Sequence, residues 1–501
     1  MGETAAAALV PLLWLLPALF ALRSIMLRLG FGPLALGIGI VALPLFPLLP
    51  DSFLPMRIDH HAPQAVLGLC AVALLLRGSR KAAVLAGVLA AAWLVISLEA
   101  LVLVAGMAGV LGLLTWWDAD RRLPAFLAAL AISAPLLSFA TRPSSEFALP
   151  FCDILMPGHM AAFAAAGVIA LLLPLLPGQD KPLGRLAGLA LIPLICGPLA
   201  YVVLGPCVAN PFSQLDPLLQ RYWYGYITEG LPIWRQPLSV AGMLVWTLVL
   251  VSVGWWQMRR DALGDAGRAR DILALIALIA AVFSFWLMRG GILAQLLAIP
   301  FAAYLLATYL PRARALTATL PSIGATLACF ALATPIMASG ALKPLDPLFA
   351  TATMQAGMLA PIEPGVCDYT RLAALPPGHV LAPLDAGPDI LAHSPHTIVM
   401  ASYHRNQPGM RDVIEAFSGS LEQARAVAAR NGADYIVGCA AEADFALYRT
   451  AASDNFANAL ASGEVPDWLE RVGGFEEGPL KVYRIRPGRL ITMDGTSTPR
   501  R

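Results

Sequence analysis

The chain has 501 residues, of which 58% are hydrophobic and only 13% charged, with a formal net charge of +2 and a mean hydropathy of +0.70. No water-soluble globule could hide that much apolar surface, so the composition excludes a soluble enzyme and fits a polytopic membrane protein. The seven cysteines include no CxxC pair, which excludes a zinc ribbon or thioredoxin-like motif, and no nucleic-acid partner is expected.

Apolar runs long enough, or nearly so, to cross the hydrocarbon layer stand near residues 4–22, 31–49, 63–76, 82–97, 100–116, 123–140, 161–177, 186–204, 237–257, 272–288, 292–310 and 316–338. They predict about twelve transmembrane helices in a membrane domain over residues 1–340. Alternate loops carry basic clusters, among them Arg77, Arg80 and Lys81, then Arg121 and Arg122, then Arg259, Arg260, Arg268 and Arg270. The opposite loops carry only Arg57, Arg142, Arg221, Arg235 and Arg289. By the positive-inside rule the first set is cytoplasmic. Segment 57–64, the N-terminus and everything after about residue 340 then lie outside. An outside N-terminus without the basic region of a secretory signal is unusual, and the expectation is that a segment is missing before Met1.

From Pro344 onward charge density rises and strand-like runs alternate with helical ones, so residues 341–501 read as an extracytoplasmic α/β domain. Residues 379–384, 397–402, 433–438 and 480–485 read as strands. Residues 421–430 read as a helix stopped by Asn431-Gly432, and 453–461 as another ending at Gly463. Cys367 and Cys439 form either a disulfide or two buried thiols.

The polar groups between the apolar runs are the candidates for chemistry, because such groups cost free energy unless paired, solvated or metal-bound. Arg57-Ile58-Asp59-His60-His61-Ala62-Pro63-Gln64 offers an acid and two imidazoles. In an extended segment residues 59 and 61 project to one side and can reach one divalent ion; alternatively they solvate a helix end. Glu99 lies at another outer boundary, facing the same cavity or simply solvated. The outer loop 205–236 carries Arg221, Glu229 and Arg235 among aromatics that suit either an interfacial belt or a site for a lipid-linked anion. Arg289 can clamp a phosphate bidentately or snorkel to the headgroups. In the tail, Tyr403, His404, Arg405 and Asn406 follow a strand and suit a substrate-contacting loop or a stabilised turn. Thr115-Trp116-Trp117-Asp118 lies on the cytoplasmic side and reads as an aromatic belt with a solvated acid.

With these residues in view, the chain resembles the catalytic subunits of archaeal- and bacterial-type oligosaccharyltransferases, members of the GT-C superfamily of polyprenyl-phosphate-sugar glycosyltransferases. Asp59-His60-His61 looks like the family's Asp-x-His metal motif. Tyr226-Ile227-Thr228-Glu229 stands where the family carries a Thr-Ile-x-Glu-like motif, and Arg289 resembles its phosphate-contacting arginine. The resemblance implies a GT-C-like fold and transfer of a sugar or oligosaccharide from a polyprenyl-linked donor in the membrane lipid to a protein or glycan acceptor. It also implies a divalent metal, manganese or magnesium, held by Asp59 and His61, donor phosphate on Arg289 and Arg57, and Glu229 with Asp59 at the catalytic centre. The family's catalytic aspartate of the first outer loop has no counterpart here, so a truncated chain is expected to be weak or inactive as a transferase. Its Trp-Trp-Asp-Tyr-Gly acceptor motif has no counterpart in the tail either. The Ala- and Leu-rich composition implies a multi-pass protein of a bacterial inner membrane with a periplasmic C-terminal domain. The alternative functions are a multi-span transporter or glycan flippase, whose broken helices the 41 prolines would supply, and a non-enzymatic assembly protein.

Overall fold

The fold is that of a computed structural model, which describes residues 2–148, 151–208, 212, 215–261, 266–349 and 362–486. The chain forms two compact units, one of Met1–Ser213 with Glu229–Phe349 and one of Gln214–Thr228 with Ala350–Arg501. A short piece of the long loop thus groups with the tail.

The first unit is helical. Among the described residues seven helical stretches are long and apolar enough to cross a membrane: Ala5–Arg28, Leu98–Asp118, Arg122–Thr141, Pro157–Leu175, Pro182–Leu204, Leu238–Arg260 and Met288–Arg314. An eighth is added if Thr319–Ala333 and Pro335–Phe349, bent by 92°, make one span. The remaining apolar runs coincide with shorter or interrupted helices. His61–Leu75 has 15 residues, about 22 Å at 1.5 Å per residue, short of the roughly 30 Å hydrocarbon layer. Arg80–Ile96 and Gly267–Phe283 have 17 residues each. Run 31–49 divides into Pro33–Val41, Leu43–Leu45 and Leu48–Ser52, because Pro44, Pro47 and Pro50 cannot donate to the helical ladder.

Met288–Arg314 forms the middle of this unit, with 78% of its most apolar window buried, as expected of a helix that is apolar all round. Small residues let its neighbours approach. A Cβ on Gly68 would come within 2.8 Å of the Trp93 ring and 2.9 Å of Leu293, so His61–Leu75 packs tightly against both partners. The helix therefore presents His61 at a fixed height, at its own N-terminus.

The second unit is a five-stranded sheet with helices around it. The strands are β1 His379–Leu381, β2 Thr397–Ile398, β3 Tyr435–Cys439, β4 Leu469–Arg471 and β5 Leu480–Ile485, in spatial order β2-β1-β3-β5-β4. β1 pairs in parallel with β2 and β3, while β5 runs antiparallel to both β3 and β4. β3 is buried along its whole length, which suits the central strand. Leu421–Arg430 opens with a capping box in which Ser420 and Gln423 satisfy each other's backbone N–H groups. Cys367 and Cys439 are joined as a disulfide, tying β3 to the segment that leads into the unit.

Candidate functional site

Four separate stretches of the first unit bring their charged groups to one place. His61 begins its helix with only 6% of its surface exposed. Glu229 lies in the short turn Thr228–Gly230, and the loop that follows is anchored where Ile233 N–H donates to the Phe285 carbonyl at 2.7 Å. Arg289 lies in the turn Met288–Gly290. Glycines after it allow close packing: a Cβ on Gly290 would meet the Phe283 ring at 2.8 Å and one on Gly291 the ends of Leu48 at 2.8 Å and Leu244 at 2.9 Å. Glu99 stands in the turn Leu98–Ala100.

Glu229 is the hub. Both of its carboxylate oxygens lie 3.2 Å from His61 Nε2, Arg57 approaches one at 3.9 Å and Arg289 the other at 3.9 Å. The hydrogen bond from His61 outweighs the cost of partial burial and, with the fields of His61, Arg289 and Arg57, pulls the Glu229 carboxyl down to about 2. Arg289 also pairs with Glu99 at 3.4 Å, yet its buried Nε makes no hydrogen bond. Beside them is a cavity of about 30 Å³ lined by His61, Gln64, Trp93, Glu99 and Arg289, enough for a water or two. Trp93 is among its lining residues, and its buried indole N–H has no hydrogen-bond partner.

Asp59 points elsewhere. One of its oxygens accepts from Arg57 Nε at 2.7 Å and the other from the His61 backbone N–H at 2.9 Å. The donor pair that converges is therefore His61 with Glu229, not Asp59 with His61. Among the described residues no three His, Cys, Asp or Glu groups gather as a metal site. Two guanidiniums also face Glu229, and both would repel a cation. As arranged, these residues do not fit a divalent ion. Gln64 and Trp93 were not singled out as site residues; an indole inside an apolar helix carries no sequence signal beyond that of a core residue.

The expected substrate loop belongs to the second unit. His404 stacks on Trp223 at 5.8 Å and 21°, and Arg405 lies over the Tyr403 ring at 5.9 Å. Asn406 caps the helix Gln407–Ser418 by accepting from the Gly409 N–H at 3.3 Å. Ser402, next to them, donates to Asp385 at 2.8 Å. On the side read as cytoplasmic, Asp118 is held by Arg268 at 3.1 Å.

No protein-family model matches the chain, and no curated protein matches it. Solved structures do. The archaeal oligosaccharyltransferase AglB from Archaeoglobus fulgidus, in complex with an inhibitory peptide and a dolichol-phosphate, aligns with a TM-score of 0.57 and 16% identity, covering 87% of this chain and 58% of that one. The same organism's enzyme tethered to an acceptor peptide aligns at 0.57 and 15%, covering 94% and 62%. Its complex with zinc and sulfate aligns at 0.51 and 15%, covering 87% and 56%. The chain thus has a fold like that of the archaeal oligosaccharyltransferase and spans less than two thirds of the length of the archaeal chains.

Proposed function

We propose that this chain is a membrane glycosyltransferase that moves a sugar or oligosaccharide from a polyprenyl phosphate or diphosphate carrier to an acceptor on the outer face. The observation that carries the proposal is the convergence of His61, Glu229 and Arg289 from distant parts of a GT-C-like fold. The transfer breaks the bond between the anomeric carbon and the carrier's phosphate oxygen, which keeps the electron pair, and forms a bond from that carbon to the acceptor's nucleophilic atom, whose proton is lost to water. Arg289, with an unpaired buried Nε, takes the leaving phosphate, since guanidinium and phosphate pair strongly in a partly dry site. Arg57 stands on the other side of Glu229 and adds to the same field. Asp59 fixes Arg57 and the backbone of His61, so it is a positioning residue. Glu229, at about 2, accepts a proton poorly and serves to hold His61 and both arginines in register.

The archaeal neighbours, solved with dolichol-phosphate, with an acceptor peptide, and with zinc and sulfate, support a lipid-linked donor and a peptide acceptor. A glycan acceptor is the other arm of the test. No step is assigned to a metal, because Asp59 would first have to leave Arg57. Two disulfides, Cys152–Cys207 and Cys367–Cys439, support the assignment of these loops and the tail to an oxidising compartment, the periplasm of a bacterial inner membrane. They agree with the distribution of basic residues. The deciding experiment is transfer of radiolabelled sugar from a polyprenyl-linked donor in vesicles. Loss of transfer in Glu229→Gln and in Arg289→Ala is the expected result; transfer unchanged in both would refute the assignment.

A further inference from the structure

We propose that the ends of the helices Leu238–Arg260 and Met288–Arg314 form a binding site for the headgroup of an anionic phospholipid, with Arg260 and Arg312 taking its phosphate. Both helices belong to the first unit and pack on each other, and both end on the side read as cytoplasmic. A polar chain ties their ends together. The Tyr304 hydroxyl donates to Asp261, the Gln257 amide donates to Asp261 at 3.1 Å, and the Tyr309 hydroxyl donates to Gln257 Oε1 at 3.2 Å. Arg312 and Arg260 both act electrostatically on Asp261, so one guanidinium from each helix stands within reach of the same carboxylate.

Three observations point to a lipid of this kind. Among the described residues neither arginine forms an ion pair: Arg260 lies over the Trp256 ring at 4.7 Å and Arg312 over the Tyr309 ring at 5.2 Å, whereas the neighbouring Arg268 and Arg270 are held by Asp118 and Asp271 at 3.1 and 3.0 Å. The Asp261 carboxylate beside them is already engaged by Tyr304 and Gln257. Two exposed guanidiniums are thus left to fork onto phosphate oxygens. The rings beneath them stand at headgroup depth, for Trp256 is 55% and Tyr309 39% exposed in the last turns of their spans, where an aromatic belt meets the interface. Below Trp256, Val253, Val249 and Val245 are exposed as well, three and four residues apart and so on one face of the helix. The rise from Val245 to Trp256 is about 16 Å at 1.5 Å per residue, close to half of the roughly 30 Å hydrocarbon layer, which is the depth of one leaflet and of its acyl chains. Charge then selects among lipids: the two guanidiniums attract a net-negative headgroup, whereas a zwitterionic one brings its own ammonium against them.

This inference concerns lipid binding and does not rest on the transfer reaction. Titration of phosphatidylglycerol and phosphatidylcholine into the full chain in detergent, with bound lipid counted by native mass spectrometry, tests it. Phosphatidylglycerol is expected to bind at least about tenfold more tightly than phosphatidylcholine, and the double Arg260→Gln, Arg312→Gln variant to bring that ratio to within about threefold. Arg77→Gln with Arg80→Gln removes the same charge from another loop on the same side and should leave the ratio as in the parent. All four arginines are exposed, so the substitutions leave packing alone. Inorganic phosphate should not displace the lipid, because it lacks the acyl chains that lie on the valine face. Equal binding of the two lipids by the parent, or a ratio untouched by the Arg260 and Arg312 substitutions, would overturn the proposal. So would an equal fall in the Arg77 and Arg80 variant, which would mean diffuse surface charge, or displacement by inorganic phosphate, which would mean a site for the free ion.

Discussion

Replacing Glu229 by Gln keeps the shape of the hub and removes its charge. At 3.9 Å and an effective dielectric of about 20, each guanidinium attracts the carboxylate by roughly 4 kcal/mol before desolvation and side-chain entropy are set against it. Glu229 is 36% exposed, so solvent screens much of this, and the net loss of stability is expected to be about 1 kcal/mol. The effect on transfer should be larger. With the carboxylate gone, Arg57 and Arg289 repel one another across the space it filled and His61 loses its partner, and a displacement near 1 Å in such a site costs roughly 100-fold in rate. The assay is single-turnover transfer from a polyprenyl-linked donor in vesicles, with unfolding of the purified protein followed in parallel. The reasoning fails if Glu229→Gln transfers within a few fold of the parent while its stability falls by the expected amount, because the hub would then be structural only.

The Arg57 pairing that occupies Asp59 predicts that Mn²⁺ binds the parent weakly and binds Arg57→Ala more tightly, measured by electron paramagnetic resonance of the free ion. Equal affinities would show that Asp59 is not withheld. The disulfide Cys367–Cys439 closes a separation of 72 residues, so the double Cys367→Ser, Cys439→Ser variant should lose about 4 kcal/mol of unit stability by the chain-entropy relation, read by thermal unfolding with and without reductant. Asp444 is held at about 7, above its unfolded value near 3.9. The folded state therefore binds the extra proton between these values, and stability falls as pH rises from about 4 to about 7 and is flat beyond. Asp444→Asn should remove that slope, measured as unfolding midpoints across this range.

What could be read from the chain beforehand was what depends on local pattern. Segment 57–64 stood out because charge between apolar runs is costly, and Glu229 and Arg289 stood out for the same reason. The helix Leu421–Arg430 was bounded by its capping and stop residues. Distant pairing was the part that could not be read. Nothing local to Glu99 indicates that Arg289 lies across from it, and the Cys152–Cys207 bridge joins positions 55 residues apart with no spacing signature. The direction in which Asp59 points was also hidden, since its neighbour Arg57 competes with any metal for the same oxygens. Of the two readings of residues 403–406, the turn is the one with a local signal: Asn406-Gln407-Pro408 is a cap followed by an early helical proline, which marks the start of Gln407–Ser418.

The charge count at the hub leads to a last prediction. Asp59, Glu99 and Glu229 face Arg57 and Arg289, three carboxyl groups against two guanidiniums, with His61 between them. An incoming phosphate must therefore compete with carboxylates already on the arginines. Glu99 is the competitor that can be removed without disturbing the hub, because it touches Arg289 and not His61 or Arg57. Glu99→Gln should leave the His61–Glu229 contact intact and tighten binding of polyprenyl phosphate by about tenfold, the scale of one charge-assisted hydrogen bond released from competition. Binding measured by titration in detergent, without any acceptor present, isolates this step from transfer. Weaker binding in Glu99→Gln would mean that Glu99 holds Arg289 in the geometry the phosphate needs, and orientation rather than competition would then govern how the donor is received.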